Sequence, residues 1–310
     1  MKNAAKYLVY PILLVGCISL IALTFYYHWH LTTALFIGGG LALIYLSLLE
    51  RYMPQYTDWK QVKTDWKFDI PFFISGNVMG PLAQFCAISV AIQIDTHFRL
   101  TSTLANLPLL AAIPLALLLG DFFAYLLHRH SHGFRSETLL HTFLWKVHSI
   151  HHLPNKLYTL NNARSHPLNV FLAVFFRLTP ILLLGGNAEI IFAVGVFEVV
   201  INYAAHANLA VKTGWLNYIF ITPDLHRYHH SNQRKPCNFG NVVVFWDFVF
   251  GSLYIPRKKV IPAQEIGVFE EANYPKKFFK QLLFPFSKTK RTIQNRTLFN
   301  ICLYLTFSLV

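Results

Sequence analysis

Twelve of the chain's 15 histidines fall between His128 and His230, and most of them stand in three boxes. His128 and His132 make the first, His148, His151 and His152 the second, and His226, His229 and His230 the third. On a helix, residues three and four apart lie on roughly one face, so each box is expected to aim its imidazoles at one place. A lone histidine in an apolar chain is an ordinary half-buried residue, but two H-x-x-H-H boxes and a third beside them exceed what packing alone requires. Neutral imidazole suits iron, zinc, copper and nickel, whereas carboxylate and water suit magnesium, calcium and manganese, so a transition metal is implied. A catalytic zinc needs only three protein ligands and an open position. The eight box histidines are too many for that, and two metals with four or five nitrogens each would use them. Soluble di-iron bundles rely on Glu-x-x-His pairs, and none occurs here.

The elements that must carry these boxes are apolar. The 310 residues are 54% hydrophobic and 13% charged, with 16% aromatic residues, a balance that points to membrane spans. The expected fold is all-α. Leu8 to Tyr27 and Leu31 to Leu49 are each about long enough to cross a bilayer, which takes roughly 20 apolar residues, and the turn at His28 to His30 makes them a hairpin. Val78 to Ile94 and Leu104 to Leu127 make a second hairpin, with Pro108 and Pro114 expected to kink its later helix. That gives about four spans. Leu168 to Leu184 and Ile190 to Ala205 are further apolar helices carrying one charge each, Arg177 and Glu198, and are expected to form a partly embedded, re-entrant pair. Lys and Arg gather in the loop from Arg51 to Asp69 (Arg51, Lys60, Lys63, Lys67), while Asp95 to Thr103 has only Arg99. The basic loop should therefore be cytoplasmic, and with it the amino terminus and everything after Leu127. The expected division is a transmembrane region at 1–127, a histidine-box domain at 128–255 and a basic tail at 256–310.

Around the boxes stand Asp121, Tyr125 and Arg129, Leu144 and Trp145, Arg164 with His166 and Pro167, Asn238 with Gly240, and Trp246 to Gly251; on these the stretch from Asp121 to Ile255 resembles the fatty acid hydroxylase and sterol desaturase superfamily of membrane di-iron oxygenases. Its D-x-x-x-Y-x-x-H-R-x-x-H reads here as Asp121, Tyr125, His128, Arg129 and His132, and its L-W-x-x-H-x-x-H-H runs from Leu144 to His152. R-x-H-P is Arg164, His166 and Pro167, and T-P-x-x-H-R-x-H-H runs from Thr222 to His230, with Tyr228 in the variable slot. N-x-G is Asn238 to Gly240, and W-D-x-x-F-G is Trp246 to Gly251. The resemblance implies a ninth ligand, His206, four residues after Asn202, and two iron ions, with zinc as a substitute. The interval between His132 and His148 is longer than the family pattern and includes Glu137 and His141. His141 is the weaker alternative ligand.

Ligating histidines pass their second ring N–H to a carboxylate or carbonyl, which fixes the tautomer. Asp121, Asp224, Asp247 and Glu198 are the candidate carboxylates, with His166 and Asn202 as further neighbours of the ligands. Unactivated C–H bonds are the province of metal and dioxygen chemistry rather than of side chains, so the expected activity is hydroxylation of a fatty-acyl, sterol or related lipid. The electrons would come from a separate NAD(P)H-linked reductase or carrier. The alternatives are a lipid desaturase with the same metals and, from another class, a His-rich metal transporter. The boxes sit among Trp, Asp and Arg at fixed offsets, unlike a transporter's loose repeats. The expected place is an integral membrane one, the bacterial inner membrane or the endoplasmic reticulum, with the site on the cytoplasmic face. The net charge of +13 owes much to the basic tail, which suits anionic lipid; no nucleic-acid motif accompanies it. The four cysteines are scattered and form neither a disulfide nor a metal framework.

Overall fold

The computed structural model describes residues 2–59, 63–98, 102–133, 138–256, 260–269 and 271–287. Lys60, Arg99, Glu137, Arg257 to Lys259 and the end of the tail from Lys288, with its apolar stretch Leu298 to Val310, lie outside the described residues. Among the described residues the regular elements are helices, with three isolated bridges and no strand. Ten are α-helices: α1 (Lys2–Tyr26), α2 (Leu31–Tyr52), α3 (Lys63–Phe98), α4 (Leu109–Ser131), α5 (Leu139–His152), α6 (Pro167–Leu183), α7 (Ala188–His206), α8 (Pro223–His229), α9 (Phe245–Val249) and α10 (Phe278–Leu283). Five of them, α1 to α4 and α7, are long and apolar enough to cross a membrane, and α6 is a shorter apolar helix. The chain is an integral membrane protein.

The outward faces of these helices are apolar. Phe36, Ile37, Leu41 and Ile44 on α2 and Val78, Phe85 and Ile92 on α3 are all more than half exposed. Such a contiguous apolar surface has no place in water. Inward, Leu46, Ala116, Ile190 and Ile201 belong to one core shared by α1, α2, α4 and α7.

Two boundaries differ from the sequence expectation. The helix expected from Val78 begins at Lys63, which puts Lys67 and Asp69 on α3 rather than in a loop. α3 runs through Pro71 and Pro81, each of which removes one helical hydrogen bond, and α6 packs along it. Asp69 is buried and accepts from the Tyr158 hydroxyl at 2.6 Å, while Lys156 pairs with Asp65 at 2.6 Å. Pro108, expected to kink the fourth span, caps the N-terminus of α4 instead, and only Pro114 lies inside that helix. The ring pre-sets the backbone angle needed where a helix starts.

α6 and α7 follow one another through a short turn but pack on different neighbours, α6 along α3 and α4 and α7 along α2 and α4, and their two charges find each other. Arg177 is fully buried, forms an ion pair with Glu198, and stands 3.7 Å from Asp121 on α4. A lone charge at this depth would be costly. A guanidinium between two carboxylates is neutralised within the bundle.

One end of the bundle collects the polar connections. Lys212 N–H donates to the Lys6 carbonyl, and the Tyr10 hydroxyl to the Ile221 carbonyl at 3.1 Å. At the end of α2 the Glu50 carboxylate accepts from the N–H groups of Thr159 and Asn208 at 2.8 and 2.7 Å. The start of α1, the α2–α3 connection and the C-terminal ends of α4 and α7 therefore share one side, and the histidines lie there.

Candidate metal centre

His128 and His132 come from the last turn of α4 and its cap, and α5 contributes His148, His151 and His152. His206 ends α7, while His226 and His229 lie on α8 with His230 as its cap. Local sequence sets these ends. Thr138 caps α5 by accepting from His141 N–H at 3.2 Å, and Pro223 opens α8 after Thr222.

The nine rings assemble into two groups. His128, His132, His148, His152 and His229 place one nitrogen each within 4.8 Å of one another, and so do His151, His206, His226 and His230. His128 and His132 point one way as expected, but the second and third boxes are split, contrary to the expectation that each would do the same. His148 and His152 fall in one group and His151 in the other; His226 and His230 fall together and His229 apart. At about 100° per residue, position i+4 lies about 40° past the start and position i+3 about 60° short of it. With two centres side by side, that difference sends the two positions to different destinations.

Tautomers follow from the outer nitrogens. The Nδ1–H of His128 donates to the Phe239 carbonyl, that of His206 to the Asn202 carbonyl and that of His229 to the Cys237 carbonyl, all at 2.8 Å. His151 Nδ1 faces the Arg164 carbonyl at 3.3 Å, and His148 Nδ1 the Asn169 Oδ1 at 3.3 Å. Asn169 uses its amide to donate to Ser165 Oγ at 2.9 Å, which leaves its oxygen as the acceptor. Each of these imidazoles carries its proton outward and its Nε2 lone pair inward. Yet Nε2 of His128 lies 3.0 Å from that of His148, and Nε2 of His206 lies 3.0 Å from that of His151. Two lone pairs at that separation repel unless a cation sits between them. Protonation does not supply the charge: burial pushes His151 down to about 4, and burial followed by the neighbouring imidazoles holds His148, His152, His226, His229 and His230 well below the usual histidine range. The arrangement fits a pair of nitrogen-preferring metal ions.

The loop behind these rings explains the closing motifs. Asn238 adopts a left-handed backbone (φ 54°) and uses its side-chain amide to donate to the carbonyls of Leu225 and Tyr254, each at 3.0 Å. Asp247 accepts from Phe239 N–H at 2.8 Å, Gly240 N–H at 2.7 Å and Ser252 Oγ at 2.7 Å. A Cβ at Gly240 would run into the Val243 carbonyl. Asp247 thus fixes the peptide whose carbonyl holds His128, the Asn238 N–H donates to the Ser252 carbonyl at 3.0 Å and so fixes the peptide whose carbonyl holds His229, and Asp247 touches no histidine itself.

The same holds for the other expected carboxylates. Asp121 accepts from Val242 and Val243 N–H at 2.9 and 2.7 Å, Asp224 pairs with Arg227 at 3.0 Å, and Glu198 pairs with Arg177. Among the described residues none hydrogen-bonds a box histidine; carbonyls and Asn169 take that part. Asn202 serves through its backbone carbonyl, with its side-chain amide turned to the Glu198 carbonyl at 2.9 Å. His166 caps α6, accepting from Leu168 N–H at 3.1 Å and donating to the Leu282 carbonyl at 3.0 Å, away from the cluster. His141 faces His130 at 2.9 Å and belongs to neither group. Asn169 escaped the sequence reading because a lone Asn in the first turn of an apolar helix carries no signal beyond its place three residues after His166.

Residues 113–252, a stretch that holds all nine of these histidines, match the family model described as Fatty acid hydroxylase. The histidine-bearing stretch is thus similar to the fatty acid hydroxylase family. It is 28% identical over 258 residues to the ornithine lipid hydroxylase OlsE of Rhizobium tropici, a match covering 79% of this chain and 73% of the relative. It is also 28% identical over 145 residues to the alkylglycerol monooxygenase of Homo sapiens, covering 46% of this chain and 30% of that protein. No solved structure matches the chain.

Proposed function

We propose that this chain is a membrane-bound lipid hydroxylase, in which His128, His132, His148, His152 and His229 hold one iron ion and His151, His206, His226 and His230 a second. The observation that carries this reading is the convergence of buried, inward-facing Nε2 lone pairs into two groups. When bound, iron in such a nitrogen set supplies dioxygen activation, so that one oxygen atom enters a lipid C–H bond and the other leaves as water with two electrons and two protons. The chain's own part is to orient and exclude. Phe239, Cys237, Arg164 and Asn202 carbonyls and the Asn169 amide oxygen hold the rings in one tautomer, and the burial of the cluster keeps water out.

The Lys and Arg asymmetry of the loops supports a cytoplasmic histidine side, where a separate NAD(P)H-linked reductase or carrier would deliver the electrons. One relative, matched over 258 residues, is by name an ornithine lipid hydroxylase, which makes ornithine lipid the first substrate to test. Purified protein should contain about two irons per chain, with zinc competing for the same nitrogens. Cells making the chain under labelled dioxygen should yield a lipid heavier by one labelled oxygen. A product lacking two hydrogens and carrying no label would establish desaturation. No lipid change at all, or full activity with one metal, would overturn the reading.

A further inference from the structure

The segment from Gly240 to Gly251 occupies an unexpected place. Trp246 Nε1–H donates to the Leu118 carbonyl at 2.8 Å, and Leu118 lies near the midpoint of α4 (Leu109–Ser131). At 1.5 Å per residue, Leu118 is about 15 Å along the axis from His128, toward the far side of the bundle. Val242 and Val243 reach Asp121 one turn nearer the histidines, and the Phe122 ring meets those of Trp246 and Phe250 at 4.6 and 6.3 Å. A loop with one short helix therefore stands alongside a spanning helix at the depth of that helix's middle.

Irregular backbone at such depth is tolerated only if its polar groups are satisfied within the protein. Most of the N–H groups here have partners. Asp121 takes the N–H groups of Val242 and Val243, and Asp247 those of Phe239 and Gly240. The Val244 N–H donates to the Ile219 carbonyl, and the N–H groups of Ser252 and Leu253 to the Asp247 carbonyl. A water-facing loop has no need of two buried carboxylates. The outward face is equally telling: Phe248 is 73% exposed, Val249 50%, Phe245 44% and Phe250 41%, and the one charge from Gly240 to Tyr254, Asp247, is fully buried.

We infer that residues 240–251 form a re-entrant wedge inserted into the bilayer leaflet on the histidine side, with Phe245, Phe248 and Val249 against lipid acyl chains. The surface is continuous with the apolar face of α4, which identifies the occupant as bilayer hydrocarbon. The preceding residue, Phe239, sets its ring 5.8, 5.4 and 5.7 Å from those of His128, His132 and His229, so one segment joins lipid to the metal centre. This inference rests on the membrane character of the chain and not on its chemistry.

The test uses the full-length protein in vesicles of phosphatidylcholine and phosphatidylglycerol doped with a phospholipid that carries a diazirine at mid acyl chain. After illumination, adducts are mapped by peptide mass spectrometry. The expected result is labelling of residues 245–250 within about threefold of that on the lipid-facing stretch from Phe36 to Ile44 of α2, which serves as the internal reference. Labelling of α2 with at least tenfold less on 245–250 would overturn the inference, whether water or a second copy of the chain then covers the segment.

Discussion

The two groups of nitrogens share helices but are held in different ways. Of the five in the first, His128, His148 and His229 donate to named acceptors on the 237–239 loop and α6. Of the four in the second, His151 and His206 do so, while the Nδ1 atoms of His226 and His230 lie buried with no hydrogen-bond partner among the described residues. The first group is partly exposed at His128, whereas the second is buried throughout. The first is oriented by the 237–239 loop and by Asn169 on α6, the second by the Arg164 and Asn202 carbonyls and by packing. A group with one nitrogen fewer has less redundancy.

That contrast ranks the expected effects. His206→Ala leaves the second group with three histidines, so product should be abolished and iron should fall by about one ion per chain, as read by metal analysis and lipid mass spectrometry. Retention of both irons would remove His206 from the centre. His132→Ala leaves four nitrogens in the first group, so iron should stay near the wild-type content while turnover drops; if it costs as much metal as the His206 change, the asymmetry between the groups is wrong. Asn169→Leu removes an acceptor while leaving every ring in place, and should weaken metal binding by roughly 10- to 100-fold, the usual effect of losing a ligand's outer partner. The loss should be confined to the ion of the first group, which competition with a graded chelator would show.

The pH prediction concerns the metal-free protein. His151 is held at about 4 against an unfolded value near 6.5, and His148, His152, His226, His229 and His230 are lowered in the same direction. The unfolded chain then binds more protons than the folded one below about 6.5, so stability is full above that pH and declines as pH falls toward 4. Chelator-treated protein should show a falling unfolding midpoint over that window, and a flat profile would contradict the burial of neutral rings. The smallest effect is expected for His141→Ala, since that ring faces His130 rather than either group; metal content and turnover should stay within about twofold of wild type.

The residue types and their offsets in the sequence pointed to a transition metal, to eight of the nine candidate nitrogens and to the apolar helices, with His206 added by the family resemblance, because ligand chemistry and the length of a membrane span are local properties. The same offsets suggested three boxes with one aim each, and the tertiary structure decided otherwise. Whether i+3 and i+4 serve one centre or two depends on where α4, α7 and α8 bring their own histidines, and that is a property of packing. The outer partners were equally out of reach. Carboxylates were the natural expectation for holding imidazole N–H groups, yet backbone carbonyls and Asn169 do so, because every residue has a carbonyl and only the path of the chain shows which ones arrive. Asp121 and Asp247 stood out as motif residues, but their task of satisfying backbone N–H groups beside α4 became visible only when a loop distant in sequence was found at that depth.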